Sequence, residues 1–179
     1  MLHYAAVKFF APTLISSFET SYDNQSVYHV HVTSDVNEKQ TGVWEVIALS
    51  WSTGAQLFKW TGAAALQPLQ SLEVFSRPTA QMLQGIGSRS DVVFYVSWKG
   101  SATTVPASST TSDNYYYLTS FAEIKLPSPV ISASFSQPSN QVVQVTLTST
   151  QMAPFVWLQT PVAGKWSYVV VAALWRQMA

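Results

Sequence analysis

Val27-Tyr28-His29-Val30-His31-Val32-Thr33 alternates with a period of two. An extended chain with that pattern puts Tyr28, Val30 and Val32 on one face and Val27, His29 and His31 on the other. Ser34-Asp35-Val36-Asn37 then supplies a break. A second run, Val43 to Trp51, carries Val43, Glu45, Ile47, Leu49 and Trp51 on one side and Trp44, Val46, Ala48 and Ser50 on the other, and Ser52-Thr53-Gly54 closes it. Further strands are predicted at 56–60, 69–75, 92–98, 115–124, 130–135, 142–148 and 155–158. Short strands separated by turn signals predict an all-β chain built as an antiparallel β-sandwich.

Working outward, residues 1 to about 11 predict a short helix. Leu2, Ala5, Ala6, Phe9 and Phe10 recur at helical spacing and Pro12 ends the pattern. A helix of about three turns is marginal by itself, so this one reads as the last turns of a larger domain. Ser101–Asn114 is rich in Ser, Thr and Ala and predicts a long surface loop. Leu126-Pro127-Ser128-Pro129 is the stronger boundary, because two prolines remove backbone donors and bias the chain to extended structure. The divisions expected are 1–16 as the helix, 17–126 as a sandwich, 127–167 as the opening strands of a second sandwich, and 168–179 as a tail.

Nine Lys plus Arg balance nine Asp plus Glu, and only 10% of the 179 residues are charged, against about 25% in ordinary soluble domains. The bases are scattered singly, which excludes the basic stripe a nucleic-acid partner requires. Low charge with 13% aromatic residues points to apolar surface that something else covers. Cysteine is absent, so disulfides and thiol nucleophiles are excluded together. The opening residues have no clean apolar core of a signal peptide. The longest late apolar run, Tyr168–Trp175, has eight residues against the roughly 20 that span a bilayer; no membrane span is expected.

Signals for chemistry are few. The chain has three histidines, His3, His29 and His31, and a His-x-His pair on one strand face chelates a metal when a third ligand converges, with Asp35 and Glu45 the candidates. The simpler reading is a solvated face, so no metal and no cofactor is expected. Gly85-Ile86-Gly87-Ser88-Arg89-Ser90 begins like a dinucleotide loop but has Ser90 where the third glycine belongs, and no nucleophile-elbow motif occurs. Glycoside hydrolysis needs two converging carboxyl groups. The nine acids, Glu19, Asp23, Asp35, Glu38, Glu45, Glu73, Asp91, Asp113 and Glu123, mostly sit in predicted turns. No catalytic residue is assigned. Trp44, Trp51, Trp60, Trp98, Trp157 and Trp166 suit either a sugar-stacking platform or a core, with core favoured. Trp44 and Trp51 fall on opposite faces, so at most one anchors the core, and Trp51 is preferred for its place beside Ile47 and Leu49. Tyr116 is expected to face away from Tyr115 and Tyr117. Asn24-Gln25-Ser26 fits the N-glycosylation pattern.

Four segments carry a family resemblance. Met1-Leu2-His3-Tyr4 with Phe9-Phe10-Ala11-Pro12 resembles the final barrel helix of the β-mannosidases of glycoside hydrolase family 2. Val32-Thr33-Ser34-Asp35, Asn114-Tyr115-Tyr116-Tyr117-Leu118 through Leu126-Pro127, and Ala153-Pro154-Phe155-Val156-Trp157-Leu158 follow in the same order. The resemblance implies the end of a catalytic (β/α)8 barrel, an Ig-like mannosidase sandwich, and the start of a truncated C-terminal Ig-like domain. It implies that the family's two catalytic glutamates lie in a barrel preceding residue 1, so none is carried over. It further implies a parent enzyme acting on terminal β-mannose of glycoprotein-derived oligosaccharides in the lysosome or secretory pathway. The partner implied is that missing barrel, with a mannose-containing oligosaccharide as a second. The alternative is a stand-alone carbohydrate-binding or protein-interaction sandwich. The likeness is lost from Tyr168 to Ala179, which points to an altered reading frame, an alternative exon or a gene-model error.

Overall fold

The structure is a computed structural model that describes residues 10–23, 25–139, 142–153 and 156. The expected helix over residues 1–11, the strand at 155–158 and the tail from Tyr168 lie wholly or mainly outside them. Nine strands are described: β1 (Thr13–Tyr22), β2 (Gln25–Ser34), β3 (Gln40–Ser50), β4 (Gln56–Leu66), β5 (Ser71–Pro78), β6 (Val92–Ser101), β7 (Thr111–Tyr117), β8 (Ile131–Ser139) and β9 (Val142–Ser149). One short helix, α1 (Thr79–Leu83), follows β5. They form a three-stranded sheet β1-β2-β5, a four-stranded sheet β4-β3-β6-β7 and a separate β8-β9 hairpin, with every pairing antiparallel.

The first two sheets pack as a sandwich, and the alternation of β2 builds its interior. Tyr28, Val30 and Val32 are fully buried with Ile15 of β1, Val46 and Ala48 of β3, and Val92, Phe94, Val96 and Trp98 of β6. α1 closes one end. Pro78 precedes it, Met82 turns into the core and Leu83 packs against it. At the opposite end the buried Gln40 amide donates to Ser34 Oγ at 2.6 Å and to Thr13 Oγ1 at 3.1 Å, while Thr13 Oγ1 donates to the Ser109 carbonyl at 2.8 Å. Buried polar groups cost little when bonded in this way.

Several boundaries differ from expectation. β1 begins at Thr13, so residues 13–16, assigned to the preceding helix, belong to the sandwich; Ile15 is buried and its N–H donates to Ser112 Oγ of β7 at 3.1 Å. β4 runs to Leu66, through Thr61-Gly62-Ala63-Ala64-Ala65, which carries no strand pattern of its own. The loop after β6 is shorter than predicted, because β7 starts at Thr111 and a 3-10 turn fills 107–109. Glu38 pins that loop, accepting from the Thr104 N–H at 3.0 Å and from Thr104 Oγ1 at 2.5 Å. β7 ends at Tyr117, and the expected strand through Ile124 is a series of turns.

A second apolar cluster lies on the outer face of the four-stranded sheet. Leu49, Trp51 and Val93 are buried there beneath Ile124 and Met152, with Tyr95, Tyr115 and Tyr117 packed alongside. Trp51 is therefore an anchor as expected, but of this outer cluster. Trp44 packs on the main core, so the two indoles anchor opposite faces of one strand, correcting the expectation of at most one. Tyr116 joins the inner core and its two neighbours the outer cluster, as the alternation requires.

Candidate functional site

Two clusters of polar side chains stand out, one on each side of β1 and β2. The first is on the outer face of the three-stranded sheet. His29 Nδ1 lies 2.7 Å and His31 Nε2 3.4 Å from Glu73 Oε2 of β5. Phe18 of β1 stacks on His29 at 5.2 Å and leans on His31 at 5.4 Å. Thr20 Oγ1 is 2.9 Å from His29 Nε2, and Ser76 Oγ is 3.2 Å from His29 Nδ1. Glu73 reaches this face because of a bulge. Val30 pairs with Phe75 but His31 with Glu73, leaving Val74 as the extra residue. Without that insertion, strict alternation would turn Glu73 to the core side.

The two candidates for a third group near the histidines are elsewhere. Glu45 is on the outer face of the other sheet, 2.5 Å from Lys59 Nζ, and that hydrogen bond holds its carboxyl below the ordinary range. Asp35 is in the turn after β2, its N–H on the Pro12 carbonyl at 2.8 Å. Among the described residues no group of three or more His, Cys, Asp or Glu side chains is arranged to hold a metal ion. The His29 ring already has partners at both nitrogens, so the cluster is a hydrogen-bonded sheet surface. Because Glu73 is 43% exposed, Glu73→Gln is expected to shift stability by less than about 1 kcal/mol, which a urea unfolding curve would read.

The second cluster is at the α1 end, between the sheets. Glu19 is on the inward face of β1, opposite Tyr28. Arg89 holds it through both terminal guanidinium nitrogens, with Nη1 at 3.0 Å from Oε1, and donates from Nε to the Leu118 carbonyl at 2.9 Å. Thr79 Oγ1 donates to Glu19 Oε1, and Tyr116 Oη to Oε2 at 3.1 Å. Burial pushes the Glu19 carboxyl up, but the hydrogen bonds from Arg89, Thr79 and Tyr116 together with the Arg89 charge outweigh it and hold it below the ordinary range. Burial, and then the Glu19 charge, pushes the Tyr116 hydroxyl up to about 12. An open cleft of about 650 Å³ adjoins the pair, with Gln25, Ser26, Thr79, Gln81, Ser88 and Arg89 among its walls.

A general acid must hold a proton near neutral pH, whereas the contacts with Arg89, Thr79 and Tyr116 hold the Glu19 carboxyl below its ordinary range. The other carboxylates with described bonds serve the framework: Asp91 accepts from Ser88, and Glu123 from Thr119. The Gly85–Ser90 segment is the turn leading to β6, where Arg89 departs toward Glu19. Trp51 and Trp98 are buried in the two apolar clusters, and Trp44 and Trp60 are partly buried against the main one; Trp157 and Trp166 fall outside the described residues. So does Asn24, although its neighbours Tyr22 and Gln25 pair across the β1–β2 hairpin. The Arg89–Glu19 pair gave no sequence signal, since the residues are 70 positions apart.

The sequence between Ser26 and Glu123 matches the family profile of the mannosidase Ig/CBM-like domain. That span holds β2 to β7 and covers more than half of the chain. The chain belongs to this family. Relatives extend the match beyond the mannosidase Ig/CBM-like domain itself. A β-mannosidase of Capra hircus is 30% identical over 174 residues, and one of Mus musculus 28% identical over 170. Both alignments cover 93% of this chain and 18% of the relative, so the chain spans under a fifth of the length of the proteins it matches. A crystal structure of the β-D-mannosidase of Dictyoglomus thermophilum superposes with a TM-score of 0.57 at 15% identity, over 83% of this chain and 16% of that one. At that identity the likeness speaks for the fold alone. No helix among the described residues is long and apolar enough to cross a membrane.

Proposed function

We propose that this chain is the non-catalytic C-terminal part of a β-mannosidase, a scaffold that buttresses a catalytic barrel rather than performing hydrolysis. The observation that carries this reading is the alignment of 93% of the chain with only 18% of a β-mannosidase. The engagement of Glu19, Glu38, Glu45 and Glu73 in framework contacts supports it. On this reading, the residues before Thr13 include the end of the barrel, Thr13 to about 126 is the mannosidase sandwich and 127–167 opens a further Ig-like domain. The parent enzyme would remove terminal β-mannose from glycoprotein-derived oligosaccharides in the lysosome or secretory pathway. Sequencing the transcript upstream of the Met1 codon tests it. The expected result is an in-frame (β/α)8 barrel with two catalytic glutamates; an unrelated upstream frame would overturn the reading.

The chain by itself is expected to show no turnover of an aryl β-mannoside. Hydrolysis that survives purification and disappears on a point change within residues 1–179 would count against the scaffold role. In a secretory host, Asn24 is expected to carry an N-linked glycan, read as a mass increment that an amidase removes and that Asn24→Gln abolishes.

A further inference from the structure

We infer that the outer apolar cluster is a joint that locks the β8–β9 hairpin to the sandwich, so that the two unfold as one unit and Leu126-Pro127-Ser128-Pro129 is not a free hinge. The sheet supplies the floor of the joint. Leu49 of β3, Trp51 just after it and Val93 of β6 are buried there, and the Trp51 ring stacks on Tyr117 of β7 at 5.9 Å. The cover comes from residues beyond β7. The chain turns back where the Glu123 N–H donates to the Ser120 carbonyl at 3.0 Å, which brings Phe121 within 6.5 Å of Trp51 and Ile124 into the cluster. Met152, three residues past the end of β9, completes the cover. Ile124 is 8% and Met152 7% exposed, although both lie past Glu123, where the match to the family profile ends.

Those two residues bracket the hairpin. From Ile124 the chain runs six residues to Val130, and it returns from Thr150 to Met152 in two. Val130 and Thr150 close the hairpin base, the Thr150 N–H donating to the Val130 carbonyl at 3.1 Å and the Val130 N–H to Thr150 Oγ1 at 3.1 Å. Two residues extend at most about 7 Å, so the burial of Met152 holds that base beside the cluster. A single crossing through a Pro-Ser-Pro segment would leave the hairpin free to swing. Two crossings, each ending in a buried apolar side chain, remove that freedom. The hairpin needs such a tie, because β8 and β9 pack chiefly on each other and a lone two-stranded hairpin is marginal in water. This inference does not rest on the β-mannosidase reading.

Because the sequence lacks cysteine, one introduced thiol reports the opening of the joint. In the full chain, Met152→Cys is expected to react with a maleimide at least about tenfold more slowly than Gln151→Cys, its exposed neighbour. It is further expected to become reactive over the same urea range as Ala48→Cys in the main core. Reaction of Met152→Cys as fast as that of Gln151→Cys, or at urea concentrations where Ala48→Cys is still protected, would overturn the proposal. A second measure needs no thiol. Met152→Ala is expected to lower the urea midpoint of the tryptophan-fluorescence transition by about 1 M, while Gln151→Ala leaves it in place. Equal midpoints for the two variants would show that the joint adds nothing to the sandwich, and the idea would fail.

Discussion

Gly42→Ala is expected to destabilise the sandwich by about 3 kcal/mol, the upper range for forcing atoms into a packed interior. A Cβ on Gly42 would lie 2.6 Å from the Lys99 carbonyl oxygen, 2.6 Å from the Trp98 ring and 2.7 Å from the Gly100 Cα. Two of those neighbours are backbone of the adjacent strand, and the third is a fully buried indole. None is the free end of a flexible side chain, so relief requires moving β6 away from β3. Gly85→Ala separates this steric effect from a general cost of replacing glycine. At Gly85 no atom lies within 4 Å of the added carbon, and φ is +78°, so only the left-handed backbone penalty of about 1 kcal/mol remains. Urea unfolding followed by tryptophan fluorescence would compare the two; similar losses would mean that the β3–β6 contact is looser than described.

Arg89→Met is expected to cost about 2 kcal/mol at pH 7. Removing one partner of a fully buried ion pair costs about 3–5 kcal/mol. Here the Glu19 side chain is 9% exposed but that of Arg89 is 42% exposed, so water screens part of the pair and brings the cost below that range, to about 2 kcal/mol. The pH dependence identifies the mechanism. The native Glu19 carboxyl titrates below its ordinary value of 4.5, so the folded state binds its proton less readily than the unfolded chain does. The stability it contributes is present above about 4.5 and is lost as pH falls through the lowered native value. The gap between wild type and Arg89→Met is therefore expected to be widest near neutral pH and to narrow at acid pH, as pH falls through the lowered native value of Glu19. A gap of equal size at neutral and acid pH would show that Arg89 acts through packing alone.

Where sequence patterns decided an element, the burial geometry was simple. The period-two run of β2 faces a core on one side only, and its faces were legible from alternation. The run in β3 was legible too, but not its meaning, because both of its faces are covered and Trp51 serves the outer cluster. β4 was half hidden. Its Gly62 and alanines carry weak strand preference, and they are held as a strand by pairing with β3, where the Trp44 ring lies against Gly62. β1 was hidden because its sequence is mostly polar, and Ile15 alone marks the interior at its start.

From sequence alone it followed that His29 and His31 share a face, that cysteine chemistry is absent, and that no acid sits in a recognisable catalytic motif. These depend on composition and on the two-residue repeat of an extended chain, which are local properties. Which acid meets the histidines, and which base neutralises Glu19, were decided only in three dimensions. Glu73 arrives through one extra residue in β5, and Arg89 through a turn that the packing of α1 and β6 brings against β1. Both depend on register and sheet closure, which arise from long-range pairing and leave no periodic trace along the chain.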